Sequence, residues 1–417
     1  MRILVAHNHY QQHGGEDAVF ANETALLEEA GHEVHRYELH NDAIASASDK
    51  VRAFLTTPYS RAARKRFEAK LDAIDPDVVH VHNYFPLMTP AVFYACTAHG
   101  IPVVHTLHNF RMMCANGLLL RDGKVCEKCV SGSPFWAAAH RCYRGSFAGS
   151  VAVARMIGAQ RRWGTWHRHV TRFIALTQFE RTKFIEAGVP AEKVRIKPNF
   201  VPDPGTRKPS SASRRSGALY VGRLSHEKGL HTLIEAWREL PIPLRIAGDG
   251  PLLTELRESA PDNVTFLGRL PSAQVHAEMG HASLLVMPSN WYEGFPVTLV
   301  EALACGLPIA ASRIGSLQEL VRDGENGFTF EPGNVGDIVR TVRRAFDDRK
   351  ALVKLSRGAR AMYEDNYTAD RNLEQLVAIY AEACASQSAA STGRMGLAHT
   401  GREWMRRTVH SGGNFGN

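Results

Sequence analysis

The sequence predicts an α/β protein of two doubly wound parallel sheets facing a central cleft. Short apolar, β-branched runs alternate with helix-length segments along nearly the whole chain, which is the pattern of crossover-connected parallel strands. The alternation breaks at 201–216 (VPDPGTRKPSSASRRS), where Pro, Ser and basic residues dominate as in an interdomain linker. At 417 residues the chain has room for about two domains.

Before the linker, strands are expected at 2–7, 32–39, 77–83, 101–108, 172–177 and 194–200. Helices are expected at 18–30, 61–71, 91–99, 151–162 and 180–187. After it, strands are expected at 218–224, 244–247, 264–267, 283–287, 309–312 and 327–330. The helix 231–240 sets Leu233, Ile234, Trp237 and Leu240 on one face, a core stripe. The resulting domains are 1–200, with a cysteine-rich insertion at 110–145, and 217–385. Residues 386–417 lack apolar periodicity and are expected to be a disordered tail.

A net charge of +8 and a pI of 9.2 ask for an anionic partner. No zinc-finger His pair, RNP-like aromatic strand or basic region with heptads accompanies the charge, so the expectation is a diphosphate ligand or an anionic membrane surface, with no nucleic acid. No run of about 18 apolar residues is present, and MRILVAHNHY opens directly on a strand pattern without a signal-peptide core. A cytoplasmic location is expected, with peripheral placement on the inner face of a membrane compatible with the charge.

The chemistry concentrates at strand ends. In EGFPVTLVEALACGLPIAAS (293–312), a loop carries Glu293, a helix starts near Val297, and Glu301 lies about one turn into that helix, near its positive end. Gly306 would close the helix and Pro308 bars its continuation. Gly222-Arg223-Leu224-Ser225-His226-Glu227-Lys228-Gly229 ends the first strand of the second domain. There Arg223 can fork onto phosphate oxygens and Lys228 supplies a compact charge. Gly14-Gly15-Glu16-Asp17 opens a helix after the first strand, where glycines and a helix N-terminus admit an anion. His108 ends another strand. Its neighbour is Asn109 and not a carboxylate, so a neutral imidazole is expected. His80 and His82 flank a further strand end, as structural or acceptor-side residues.

The Glu293-x7-Glu301 spacing, the Arg223 and Lys228-Gly229 loop, Ile246-Ala247-Gly248-Asp249-Gly250-Pro251 and Phe266-Leu267-Gly268-Arg269-Leu270 together resemble the retaining, nucleotide-sugar-dependent glycosyltransferases of family 4, which have the GT-B fold. The resemblance spans residue 1 to about 385. It implies that Glu301 bonds the donor ribose and that Glu293 lies beside the sugar. Gly294, Phe295, Pro296 and Val297 would hold sugar and phosphate through their backbone. Gly222, Arg223 and Lys228 would bind the diphosphate, and Gly14 and Gly15 would meet it across the cleft. His108 would bond the donor sugar near the reacting centre, although the family often has His-Asp where this chain has His-Asn. The implied catalytic set is His108, Glu293, Arg223 and Lys228.

The implied reaction moves a glycosyl group from a nucleoside diphosphate sugar to an acceptor hydroxyl with retention, by front-face substitution assisted by the leaving phosphate. Arg223, Lys228 and helix N-termini would stabilise that leaving group, so no divalent cation or cofactor is expected. Asp75-Pro76-Asp77 reads as a turn before a strand and not as a metal site. A GT-B epimerase or phosphorylase and a catalytically silent sugar-nucleotide scaffold are the alternatives.

Two features lie outside the resemblance. Cys114, Cys126, Cys129 and Cys142, with a Cys-x2-Cys knuckle at the centre, can complete a structural zinc site or stand as unligated thiols. Residues 151–172 carry Arg155, Arg161, Arg162, Arg168 and Arg172 with Trp163 and Trp166, which reads as an anionic membrane interface or as a solvated helix with buried tryptophans. The membrane reading makes the acceptor a lipid-linked sugar or polysaccharide precursor in cell-surface glycan assembly.

Overall fold

A computed structural model of the chain describes residues 1–11, 14–205 and 215–388. The first sheet consists of β1 (Arg2–His9), β2 (Glu33–His40), β3 (Val78–Val81) and β4 (Val103–Thr106). A separate hairpin, β5 (Leu120–Arg121) and β6 (Lys124–Val125), precedes its last two strands, β7 (Arg172–Ala175) and β8 (Val194–Ile196). All six pair in parallel in the order β2-β1-β3-β4-β7-β8. The second sheet comprises β9 (Ala218–Val221), β10 (Leu244–Ala247), β11 (Val264–Gly268), β12 (Leu284–Met287), β13 (Ile309–Ser312) and β14 (Gly327–Phe330), in the order β11-β10-β9-β12-β13-β14. The central strands are buried on both faces because helices cover both, as parallel sheets require, and the His80, His105 and Thr106 side chains among them are hydrogen-bonded.

In each sheet the strand order reverses beside the first strand, between β1 and β3 and between β9 and β12. Adjacent crossovers there leave toward opposite faces, which opens a crevice at the carboxyl ends of the strands. The loops after β1, β3, β9 and β12 hold the Gly14–Asp17, His82–Asn83, Gly222–Gly229 and Ser289–Glu293 segments. Topology thus gathers the sequence motifs at one place.

Two glycines permit close packing at that edge. A Cβ at Gly229, which has φ +72°, would stand 1.9 Å from the Pro288 carbonyl oxygen. One at Gly248 would stand 1.9 Å from the Gly222 oxygen. The IAGDGP segment therefore lies flat against the loop that carries Arg223.

The two domains are joined by more than the linker, of which residues 206–214 lie outside those described. Helical residues 369–388 return to the first domain. There the Tyr380 hydroxyl lies 2.8 Å from His80 Nδ1, the Asn372 amide donates to the Pro198 carbonyl, and Glu382 pairs with Arg172 and Arg195. The domain end expected at 385 falls inside this helix, and the tail expected from 386 begins with three helical residues. Its remainder, 389–417, lies outside the described residues. The helix packs through Leu373, Leu376, Val377, Ile379, Tyr380, Ala383 and Cys384, and its last turn continues past the apolar stripe into the polar residues 386–388. A second bridge joins the helix Gln178–Glu186 to the helix Gly315–Leu320. The backbone N–H groups of Gln178 and Phe179 donate to the two Glu319 carboxylate oxygens at 2.9 Å, a helix cap supplied by the other domain.

Candidate active site

The loop after β12 carries Glu293, which is 4% exposed. Its Oε1 accepts from Lys228 Nζ and from Ser289 Oγ, each at 2.7 Å, and the Lys228 ammonium also lies over the Trp291 ring. Lys228 and Glu293 are thus a mutually neutralising pair at the mouth of the second sheet's crevice. Arg223 is exposed, and its guanidinium has no hydrogen-bond partner among the described residues, so its fork is open to a ligand. Gly222 beside it contributes backbone only.

Glu301 lies on the helix Val297–Ala304 with Oε1 3.4 Å from His276 Nε2, half-buried at the cleft wall. Pro296 caps that helix and Val297 is its first residue. Phe295 is buried against Tyr367, so its ring belongs to the core and only its backbone can reach a ligand.

The first domain faces these residues closely. A Cβ at Gly294 would stand 2.7 Å from Glu180 Oε1 and 3.5 Å from the His108 carbonyl oxygen, and one at Gly15 would stand 3.5 Å from the Val297 side chain. Gly14 differs from expectation. Its N–H already donates to Asp17 Oδ2 at 2.7 Å in a capping box, so Gly15 is the glycine turned toward the second domain. Residues 12 and 13 of that loop lie outside those described.

His108 stacks on His82, with His108 Nε2 3.0 Å from His82 Nδ1. Burial, with His7, His105 and Lys197 nearby, holds its pKa well below the ordinary histidine range; burial with the other histidines does the same for His82. His82 Nε2 lies 3.6 Å from Glu23, which favours a proton on that nitrogen. Either ring can donate in the contact between His82 Nδ1 and His108 Nε2. His80 is structural, bonded to Thr106 and to Tyr380 of the returning helix.

Several residues here were not singled out from sequence. Asp17 lies between His7 and His9, each at 2.9 Å, and these hydrogen bonds together with the Gly14 N–H drive its pKa far down against the effect of burial. Burial raises Glu180 to about 8, with one oxygen bonded to the Leu176 N–H and the other without a partner among the described residues. Glu16 is likewise raised to about 8 by burial and by Asp17. The available signal was the position of Glu16 and Asp17 directly after the glycine pair; nothing in sequence brings Glu180 to the cleft.

The four clustered cysteines are free thiols. Among the described residues no three of their sulfurs lie within 4.8 Å of one another, whereas His7, His9 and Asp17 do. Cys114 Sγ instead meets Asn116 Oδ1 at 2.9 Å, and burial with the neighbouring thiols raises Cys129 to about 11. The spacing of the sulfurs fits unligated thiols better than a closed tetrahedral zinc site. Asp75 and Asp77 are structural, a left-handed C-cap and an acceptor for the Arg2 N–H. Trp166 is 4% exposed among Tyr84, Phe93 and Phe173, as the buried-tryptophan reading of this segment expects, and Trp163 is 42% exposed.

With this geometry in view, comparison with known proteins is decisive about the family. Residues 206–362 match the family described as glycosyl transferases group 1, and residues 13–203 match glycosyltransferase family 4. The chain belongs to the group 1 glycosyltransferases. A glycogen synthase of Mycobacterium tuberculosis is 29% identical over 303 residues, covering 68% of this chain and 64% of that protein's length. The α-D-kanosaminyltransferase of Streptomyces kanamyceticus is 24% identical over 332 residues, covering 76% and 80%. The solved structure of HepE from Anabaena covers 93% of this chain and all of its own, with a TM-score of 0.63 at 20% identity, and bears on the fold alone. Two facing parallel-sheet domains make that fold GT-B.

Proposed function

We propose that this glycosyltransferase moves a sugar, with retention, from a nucleoside diphosphate sugar to the hydroxyl of a lipid-linked or polysaccharide precursor. The observation that carries the donor reading is the open Arg223 fork beside the Lys228–Glu293 pair, set directly against the His108 strand end of the other domain. A diphosphate placed there meets two cations, the ribose reaches Glu301, and the sugar lies between Glu293 and His108. As the bond from C1 to the diphosphate breaks, charge grows on the leaving oxygen, where Arg223 and Lys228 stabilise it. Glu293 is engaged by Lys228 and Ser289, which suits it to hydroxyl binding more than to nucleophilic attack. HepE was solved in complex with UDP-glucose, which makes UDP the first nucleotide to test.

The acceptor reading is supported by the outer surface of the first domain. Val51 and Leu55 on the helix Ala47–Thr56, Phe135 and Trp136, and Phe147 are large exposed apolar side chains. Lys50 and Arg52 are exposed on the same helix as Val51 and Leu55, Arg144 is exposed, and the Lys128 ammonium lies 5.3 Å from the Trp136 ring centroid. Exposed apolar groups interleaved with cations fit an anionic membrane surface. No helix among the described residues is long and apolar enough to cross a membrane.

Calorimetric titration with UDP, GDP, ADP and TDP tests the donor reading, in the wild type and in Arg223→Ala. One nucleotide is expected to bind and to lose about tenfold or more in affinity in the variant, the contribution of a charge-assisted contact. Binding of none, or equal binding by the variant, refutes it.

A further inference from the structure

Glu16 lies at the inner edge of the cleft, one residue beyond the glycine that faces Val297. Its two carboxyl oxygens are held by the side-chain amides of Asn83 and Asn109, at 3.4 and 3.3 Å. These asparagines follow β3 and β4, so three loops of the first domain converge on one carboxyl. Asn109 immediately follows His108, the residue lying against the second domain at Gly294. The ionisable groups facing Glu16 are Asp17 of its own helix, Tyr10 at the end of β1, and Arg111 in the turn after β4. Arg111 is itself held between the Phe85 and Tyr143 rings.

We propose that Glu16, clamped by Asn83 and Asn109, orients the attacking hydroxyl of the acceptor. This deepens the donor reading and rests on it, since a carboxyl here matters to transfer only if the sugar occupies the cleft. In the step, the acceptor oxygen forms its bond to C1 while the bond from C1 to the diphosphate oxygen breaks. The electron pair leaves on that oxygen, which takes the hydroxyl proton. Glu16 accepts a hydrogen bond from the same O–H until the proton departs, which fixes the line of attack and strengthens the nucleophile. Only the ionised carboxylate is purely an acceptor, and burial raises its pKa to about 8. Turnover therefore rises with pH through that region.

The probe is hydrolysis of UDP-glucose, with water as the hydroxyl, read as UDP release; if another nucleotide binds in the calorimetric panel, its sugar replaces it. Glu16→Gln is expected to lower kcat by about tenfold or more on the alkaline side, to leave KM within about twofold, and to abolish the rising limb. Asn109→Ala removes a hydrogen bond that favours the carboxylate, so it is expected to move the limb to higher pH, an effect that a merely structural role does not produce. A kcat within about twofold of wild type in Glu16→Gln, or a persisting limb, overturns the proposal. So does a wild type that binds the nucleotide and hydrolyses none of its sugar conjugate. Failure of every nucleotide to bind the wild type overturns the donor reading instead, and calorimetry registers it before any variant is compared.

Discussion

Replacing Lys228 by methionine separates the two partners of the central ion pair. The pair is close, 2.7 Å, and sheltered, with side-chain exposures of 22% for Lys228 and 6% for Glu293. A hydrogen bond to a charged group is worth about 1.5–3 kcal/mol. Lys228→Met should therefore weaken binding of the nucleoside diphosphate by about 10- to 100-fold. It also leaves the Glu293 carboxylate with Ser289 as its hydrogen-bond partner, a loss of about 3 kcal/mol of stability, the low end for a buried pair because Lys228 is partly exposed.

Glu293→Gln should behave in the opposite way toward the diphosphate. Lys228 keeps an amide oxygen to bond but loses the charge that neutralises it, so affinity is expected to hold or to tighten by up to about tenfold. Turnover should fall nonetheless, because the proposed donor geometry sets Glu293 beside the sugar. The double variant should recover part of the stability lost in Lys228→Met, since no uncompensated carboxylate remains. Calorimetry with the nucleotide and thermal unfolding measure both quantities. If Glu293→Gln weakens diphosphate binding as far as Lys228→Met does, the diphosphate does not compete with the carboxylate for the ammonium, and the assignment of Lys228 is wrong.

Two further outcomes follow from the geometry. Burial raises the Glu180 pKa from 4.5 to about 8, so the folded protein must hold a proton that the unfolded chain releases. This contribution to stability is fully present below the unfolded pKa and is lost as pH rises through the folded one. The wild type should lose stability across that window, and Glu180→Gln should lose less, by about 1–4 kcal/mol at its alkaline end. Parallel stability–pH curves would refute the burial argument for Glu180; Glu16, raised in the same direction, is common to both proteins and cancels. For the proposed membrane contact, cosedimentation with phosphatidylglycerol vesicles should be salt-sensitive and should fall by about tenfold or more in Val51→Asp/Leu55→Asp. Equal binding by the double variant would remove these side chains from any interface.

The chain by itself determined the alternation of strands and helices and the motifs at the ends of β9 and β12. These are local properties. A strand buried on both faces is rich in apolar, β-branched residues, and a loop that meets another backbone closely must carry glycine, as at Gly229 and Gly248. Strands β13 and β14 begin and end at the residues expected. The tertiary structure alone decided which strand ends become neighbours. Glu180 reads in sequence as an ordinary surface-helix acid, yet the domain contact buries it against Gly294. Trp166 reads equally as an interfacial or a buried residue until the Phe93 and Phe173 rings close around it. The returning helix 369–388 carries an apolar stripe, Leu373, Leu376, Val377, Tyr380 and Ala383, but only the fold shows that this stripe and the polar groups Asn372, Tyr380 and Glu382 dock on the first domain. Burial and ionisation at such sites depend on atoms far apart in the chain, and the spacing of residues along the sequence carries no trace of them.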